Sequence, residues 1–154
     1  QLDRLDDFLK IRRENAEILL KELADLREYL LLPSHHEKCE PSWFGFLISV
    51  KEDAPFTKQQ LVEYLEMHGV GTRQLFAGNL LRQPMITASD AVLRIGGGHL
   101  KKGADLTEDD YKSLPVTDFI MNHTFWVGVA QNLTPEDVRQ TAKIIHDFVK
   151  GPEK

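Results

Sequence analysis

The chain has 154 residues, 42% hydrophobic and 28% charged, with a formal net charge of −5. A chain of that length buries roughly two-thirds of its unfolded surface, so one ordinary core is expected without a disulfide or a metal. Collagen-like and disordered classes are excluded, the acidic balance argues against a general nucleic-acid or anionic-membrane binder, and the single cysteine, Cys39, rules out an internal disulfide framework.

No apolar run approaches the ~20 residues of a membrane helix. Gln1-Leu2-Asp3-Arg4 lacks the basic and apolar regions of a signal peptide, so a cytoplasmic location and no membrane partner are expected. The chain opens without Met and is expected to be a piece of something larger.

Leu5, Phe8, Leu9, Ala16, Leu19, Leu20, Leu23 and Leu30 recur at helical spacing, with Arg12, Arg13, Glu14, Glu17, Lys21 and Glu22 between them. This predicts one long amphipathic helix over about 3–31, stopped near Pro33. A single helix so long is unusual, and it reads as a connector whose Leu19, Leu23 and Leu30 face covers something else; packing within this domain is the plainer alternative. The domain plan is therefore a connector helix at 1–32 and a small domain at 33–154.

Ser34 to Ser42 reads as a polar loop. Trp43 to Val50 is nearly continuous in apolarity, which predicts a strand buried on both faces. Thr57 and Gln60 form a capping box, Phe56 and Leu61 a hydrophobic staple, and Gly69 a helix stop. Gly71 to Phe76 reads as a second strand, so a β-α-β crossover is expected.

Residues 77–115 show little periodicity and read as a long loop of the functional or mobile kind. Within it Thr107 can cap a helical turn near Glu108 to Asp110. Val116 to Asn122 reads as a short helix and Thr124 to Val129 as a third strand. Thr134, Pro135, Glu136 and Asp137 open a last helix, with Leu133 and Val138 as its staple.

Candidate chemistry is sparse. His35, His36 and Cys39 lack a second ligand pair and read as a polar loop. Gly96-Gly97-Gly98-His99 with Lys101-Lys102 has phosphate-cradle ingredients, yet without Walker or dinucleotide spacing it reads as a flexible loop. No nucleophile elbow, zinc helix or kinase signature is present. The segment Gly71 to Pro84 stands apart: Arg73, Arg82, Gln74, Gln83 and Asn79 gather at a strand end. Arginine can fork onto a carboxylate or phosphate and the amides can pair with sugar hydroxyls, but composition leaves a solvated strand exit equally open.

Three strings carry a resemblance: Pro41-Ser42-Trp43-Phe44-Gly45-Phe46; Gly69-Val70-Gly71-Thr72-Arg73 continuing through Phe76-Ala77-Gly78-Asn79-Leu80-Leu81-Arg82-Gln83-Pro84; and Thr117 through Asn122-His123-Thr124-Phe125-Trp126-Val127-Gly128-Val129. With them the chain resembles, over nearly its whole length, the C-terminal small domain of DegT/DnrJ/EryC1/StrS pyridoxal-phosphate sugar enzymes, most like the nucleotide-hexulose 3-dehydrase branch of lipopolysaccharide and deoxysugar biosynthesis. The resemblance implies an α/β (α+β) small domain of a fold-type-I aminotransferase, with about three strands flanked by helices. The large cofactor domain lies outside this chain, so no catalytic residue and no metal ligand falls within it.

The same resemblance implies a homodimeric parent using pyridoxal or pyridoxamine phosphate on a nucleotide-linked 4-keto-6-deoxyhexose. A His there replaces the cofactor-anchoring Lys. One sub-branch carries an iron–sulfur cluster, whose ligands lie outside this stretch and do not include Cys39. The fragment alone is expected to bind no cofactor. The substrate-facing candidates are Arg73, Asn79, Arg82, Gln83, Asn122 and His123, while Trp126 reads as core. Ile86 to Ser113 departs from the common pattern in length. A sugar aminotransferase and a non-catalytic binding or assembly module remain the alternatives.

Overall fold

In the computed structural model, residues 2–95 and 99–151 are described. The chain divides into two compact units, one of residues 1–74 with 123–154 and one of residues 75–122.

The first unit is a four-stranded sheet with helices on one face. Helix α1 is Leu5–Glu22, strand β1 Leu30–Leu31, β2 Phe46–Val50, α2 Lys58–Met67 and β3 Thr72–Gln74. Strand β6, Thr124–Val127, and helix α6, Pro135–Lys150, complete it. The strand order is β1-β2-β6-β3, and every pairing is antiparallel. Since β2 and β3 both run against β6, they run parallel to each other with β6 between them. The expected crossover therefore exists as a split unit, and the sheet has four strands instead of three.

The predicted helix over 3–31 is shorter than its pattern. It ends at Glu22, a 3-10 turn covers Ala24–Leu26, and Leu30–Leu31 pairs with Val50 and Ser49. No Gly or Pro marks that break. The chain turns there because pairing with β2 and burial of Leu26 and Leu30 outweigh helix continuation. Leu19, Leu23 and Leu30 are at most 1% exposed, inside this unit's own core. The outward-facing connector stripe is thus corrected: within residues 1–32 the exposed leucines are Leu2, Leu5 and Leu31, not Leu19, Leu23 and Leu30.

Strand β2 alternates instead of being buried on both faces. Phe46, Ile48 and Val50 are buried while Leu47 and Ser49 are half-exposed. Phe46 pairs with Val127 and Ile48 with Phe125, so these four point to the helical face and meet Leu19, Leu61, Leu65 and Ile145 in one cluster. Helix starts follow the expected chemistry. Thr57 with Gln60 and Thr134 with Asp137 form complete capping boxes, and Pro135 takes the first turn of α6. Gly69, after α2, has φ +82°, a conformation glycine takes without strain.

The second unit is not a loop. It holds a short helix α3, Pro84–Thr87, a hairpin of β4 Val92–Ile95 with β5 His99–Lys102, and a helix α4, Glu108–Lys112, capped by Thr107. Helix α5, Pro115–His123, leads out of it. Its elements are short, and no residue of the buried hydrophobic core falls within them, so no hydrophobic period announced it. Gly103 shows how closely its backbone packs: a Cβ there would lie 1.9 Å from the Ile86 carbonyl oxygen.

Candidate functional site

Sheet register separates two faces. Opposite the core, Leu31 pairs with Ser49, Ser49 with Thr124, Leu47 with Trp126, and Trp126 with Arg73. These side chains share the outer face by strand alternation. Ser49 Oγ and Thr124 Oγ1 lie 2.7 Å apart and satisfy each other. Trp126 is half-exposed and not the core residue its sequence context predicts. Phe44 lies against it, with ring centroids 4.9 Å apart and planes tilted by 49°.

Phe44, Trp126, Arg73, Thr72 and three glycines, Gly45, Gly71 and Gly128, line an open pocket of about 270 Å³. Gly45 is needed there: a Cβ would press on the Trp126 ring at 3.2 Å. Phe44 is held from behind. Arg12 Nη1 donates to the Trp43 carbonyl at 2.8 Å and its Nη2 to Gln131 Oε1 at 2.9 Å. Arg13 reaches the Pro41 and Glu40 carbonyls at 3.3 and 3.1 Å and pairs with the Glu40 carboxylate. Two neighbouring arginines of α1 thus strap down the segment that carries Phe44. In the sequence both are charged residues between the apolar positions of α1; only the long-range contacts reveal them.

In the second unit the chemistry centres on Asp118. Its Oδ1 accepts from Arg82 Nε at 3.1 Å and its Oδ2 from Arg82 Nη2 at 2.8 Å, a bidentate fork. Glu108 takes the third side of the guanidinium at 3.2 Å, and the Tyr111 ring lies 4.7 Å beneath it. Asn79 is fully buried. Its Nδ2 donates to Asp118 at 2.7 Å, and its Oδ1 accepts from Leu81 N at 3.1 Å, capping the turn Leu80–Arg82. Gln83 Nε2 donates to the Ala77 carbonyl, and Ala77 has a positive φ of 26°. Gly78, at φ +62°, leaves no room for a Cβ, which would meet Met121 Cγ at 2.5 Å.

The charges respond accordingly. The Arg82 fork, then the Asn79 amide, hold Asp118 below the ordinary carboxylate range, and Asp118 in turn raises the Arg82 pKa. Asp110 is lowered to about 2, first by Lys101 at 2.5 Å and then by the Thr107 backbone it caps.

The six substrate-facing candidates fall in different places. Arg73 and His123 belong to the sheet unit; Asn79, Arg82, Gln83 and Asn122 belong to the second. Arg73 is exposed at the pocket, and His123 is half-buried with Nδ1 3.0 Å from the Val50 carbonyl. Asn122 is exposed on the last turn of α5. Asn79, Arg82 and Gln83 all make bonds that hold their own loop. Asp118, Glu108, Tyr111 and Phe44 were given no site role by sequence, although Phe44 and Asp118 fall within two of the strings that carry the resemblance.

The Gly96-Gly97-Gly98 element lies outside the described residues. Its flanking Lys101 and Lys102 pair with Asp110 and Asp90. His35, His36 and Cys39 are exposed, and among the described residues no group of three or more His, Cys, Asp and Glu gathers for a metal. No helix, among the described residues, is long and apolar enough to cross a membrane.

Residues 1–95 match the model of the DegT/DnrJ/EryC1/StrS aminotransferase family. The chain is 37% identical over 148 residues to the lipopolysaccharide biosynthesis protein RfbH of Salmonella typhimurium, covering 96% of this chain and 30% of RfbH. It is 36% identical to dTDP-4-dehydro-2,6-dideoxy-D-glucose 3-dehydratase of Saccharopolyspora spinosa, covering 97% of this chain and 28% of that protein. Among solved structures, Escherichia coli GDP-4-keto-6-deoxy-D-mannose 3-dehydratase, with bound hydrated PLP, superposes with a TM-score of 0.67 at 26% identity, over 94% of this chain and 32% of that one. The chain thus spans about 30% of the length of these relatives.

Proposed function

This chain belongs to the DegT/DnrJ/EryC1/StrS aminotransferase family, and from that membership we propose that it is the small domain of a nucleotide-sugar 3-dehydratase of deoxysugar and lipopolysaccharide biosynthesis. One observation carries the proposal: 96–97% of the chain aligns with about 30% of RfbH and of a dTDP-sugar 3-dehydratase. The whole protein would act on a nucleotide-linked 4-keto-6-deoxyhexose, as a cytoplasmic homodimer, with pyridoxal or pyridoxamine phosphate.

The residues here do not fit that cofactor by themselves. The outer-face pocket has a guanidinium and two aromatic rings but no carboxylate for a pyridine nitrogen and no amine to anchor an aldehyde. An iron–sulfur cluster needs several thiolates, and the chain has one Cys. What this chain contributes in the proposal is recognition. Arg73, Asn122 and His123 supply polar groups toward the substrate, while Asn79, Arg82 and Gln83 serve the cleft through the loop they hold.

The residue that meets the cofactor in the uninterrupted protein tests this reading. A His there supports the dehydratase. A Lys there would make the protein a sugar aminotransferase, and the absence of any cofactor domain would leave a binding or assembly module.

A further inference from the structure

The sheet unit has another cleft, where the end of α2 meets the first turns of α6. It measures about 370 Å³, within the ~300–1,000 Å³ of small-molecule sites. Its floor is apolar: Val70 and Leu133 are half-buried and Ile144 is 7% exposed. Its edge is open, since a Cβ built on Gly69 or Gly71 would meet no atom within 4 Å.

The rim carries acceptors, and no Lys or Arg lines it. Asp137 Oδ2 accepts from the Thr134 hydroxyl at 2.7 Å and the Thr134 N–H at 2.8 Å, and these bonds hold its carboxyl below the ordinary range. Its Oδ1 takes no hydrogen bond among the described residues. The His68 ring is stacked on Tyr64, centroids 4.0 Å apart, with Nδ1 2.7 Å from the Tyr64 carbonyl. A carbonyl only accepts, so the proton sits on Nδ1 and the neutral ring keeps a lone pair on Nε2. Gln140 is exposed and has no hydrogen-bond partner among the described residues, which leaves its Oε1 free to turn inward. The helix ends add the same sign. The last turn of α2, the negative end of its dipole, holds no basic residue, while the positive end of α6 is met by the Thr134–Asp137 box.

We propose that this cleft binds a small primary amine in its ammonium form, the apolar stem over Val70, Leu133 and Ile144 and the N–H groups shared among Asp137 Oδ1, His68 Nε2 and Gln140 Oε1. Those acceptors match in number the three donors of a primary ammonium. The carboxylate makes its bond charge-assisted, and the apolar floor favours an alkyl stem over a bare ion. Because Asp137 and Gln140 are exposed, solvent screens the charge and the affinity is about millimolar.

The Gly69 and Gly71 amide signals in a ¹H–¹⁵N spectrum of the 154-residue chain report on this cleft. n-Butylammonium, 1-butanol and sodium chloride are titrated separately at matched ionic strength. A saturable shift of both signals is expected with n-butylammonium, with at most a small, non-saturating drift for the alcohol and the salt. Gln140→Lys places a tethered ammonium at the same rim. Lysine is as good a helix former as glutamine and the position is exposed, so the melting temperature should match the parent while n-butylammonium binding is lost. Asp137→Asn keeps an acceptor for the Thr134 N–H and removes the charge, and should weaken binding about 3- to 10-fold. If that variant melts lower, Gln140→Lys alone decides. No saturable shift with n-butylammonium, equal binding of 1-butanol, or binding that survives Gln140→Lys overturns the proposal. None of these residues carries the dehydratase reading, so either result leaves that reading as it stands.

Discussion

The Asp118 carboxylate spans the guanidinium of Arg82, one oxygen at 3.1 Å from Nε and the other at 2.8 Å from Nη2. Because Asp118 also takes the Asn79 amide, one side chain ties together both polar residues of the Asn79–Arg82 turn. Asp118→Asn keeps the shape and removes the charge. It should raise amide exchange across residues 75–122 and leave the sheet unit protected. Arg82→Lys should resemble it, since a point charge cannot span two oxygens. Unchanged exchange in both variants would show that the turn is held by packing alone.

Acid should weaken the same unit. Asp110 titrates at about 2 in the folded chain against roughly 3.9 unfolded, and Asp118 is lowered as well. A depressed folded pKa means that the unfolded state takes up the proton first. Its stabilisation is complete above about pH 4 and is lost as pH falls through about 2. Local unfolding followed between pH 5 and 2 should show that loss, and the double variant Asp110→Asn, Asp118→Asn should flatten it.

Leu23→Ala separates core from connector. Leu23 is fully buried in the isolated chain, so its truncation should cost about 2–5 kcal/mol by denaturant unfolding. A near-neutral result would mean that this face of α1 is completed only by something outside the chain.

Gly103→Ala should destabilise the second unit by about 1–3 kcal/mol or more. The clash is with the Ile86 carbonyl, which has no rotamer by which to yield. Gly71→Ala, where a Cβ meets nothing, should be close to neutral and serves as its control.

Legibility followed the range of the interaction that decides each feature. The Thr57–Gln60 capping box and the helix start at Thr134-Pro135 are local and read directly from spacing. The end of α1 does not, because Leu30–Leu31 leaves the helical period only to pair with Val50 and Ser49, about twenty residues on. Residues 84–112 hide a hairpin and two short helices whose order rests on polar pairs such as Lys101–Asp110, which leave no hydrophobic period. At the candidate site, motif resemblance pointed to Arg73 and Arg82 alike. Only side-chain geometry separates a guanidinium open at a pocket from one enclosed by Asp118, Glu108 and Tyr111.

The most direct measurement of the proposed function is mass spectrometry of a nucleotide-linked 4-keto-6-deoxyhexose incubated with the uninterrupted protein and pyridoxamine phosphate. The dehydratase reading predicts a sugar that has lost its C3 oxygen. It also predicts that Arg73→Ala raises KM far more than it lowers kcat, as a binding group should. A product in which the keto oxygen is replaced by nitrogen, formed only with an amino donor, would contradict it.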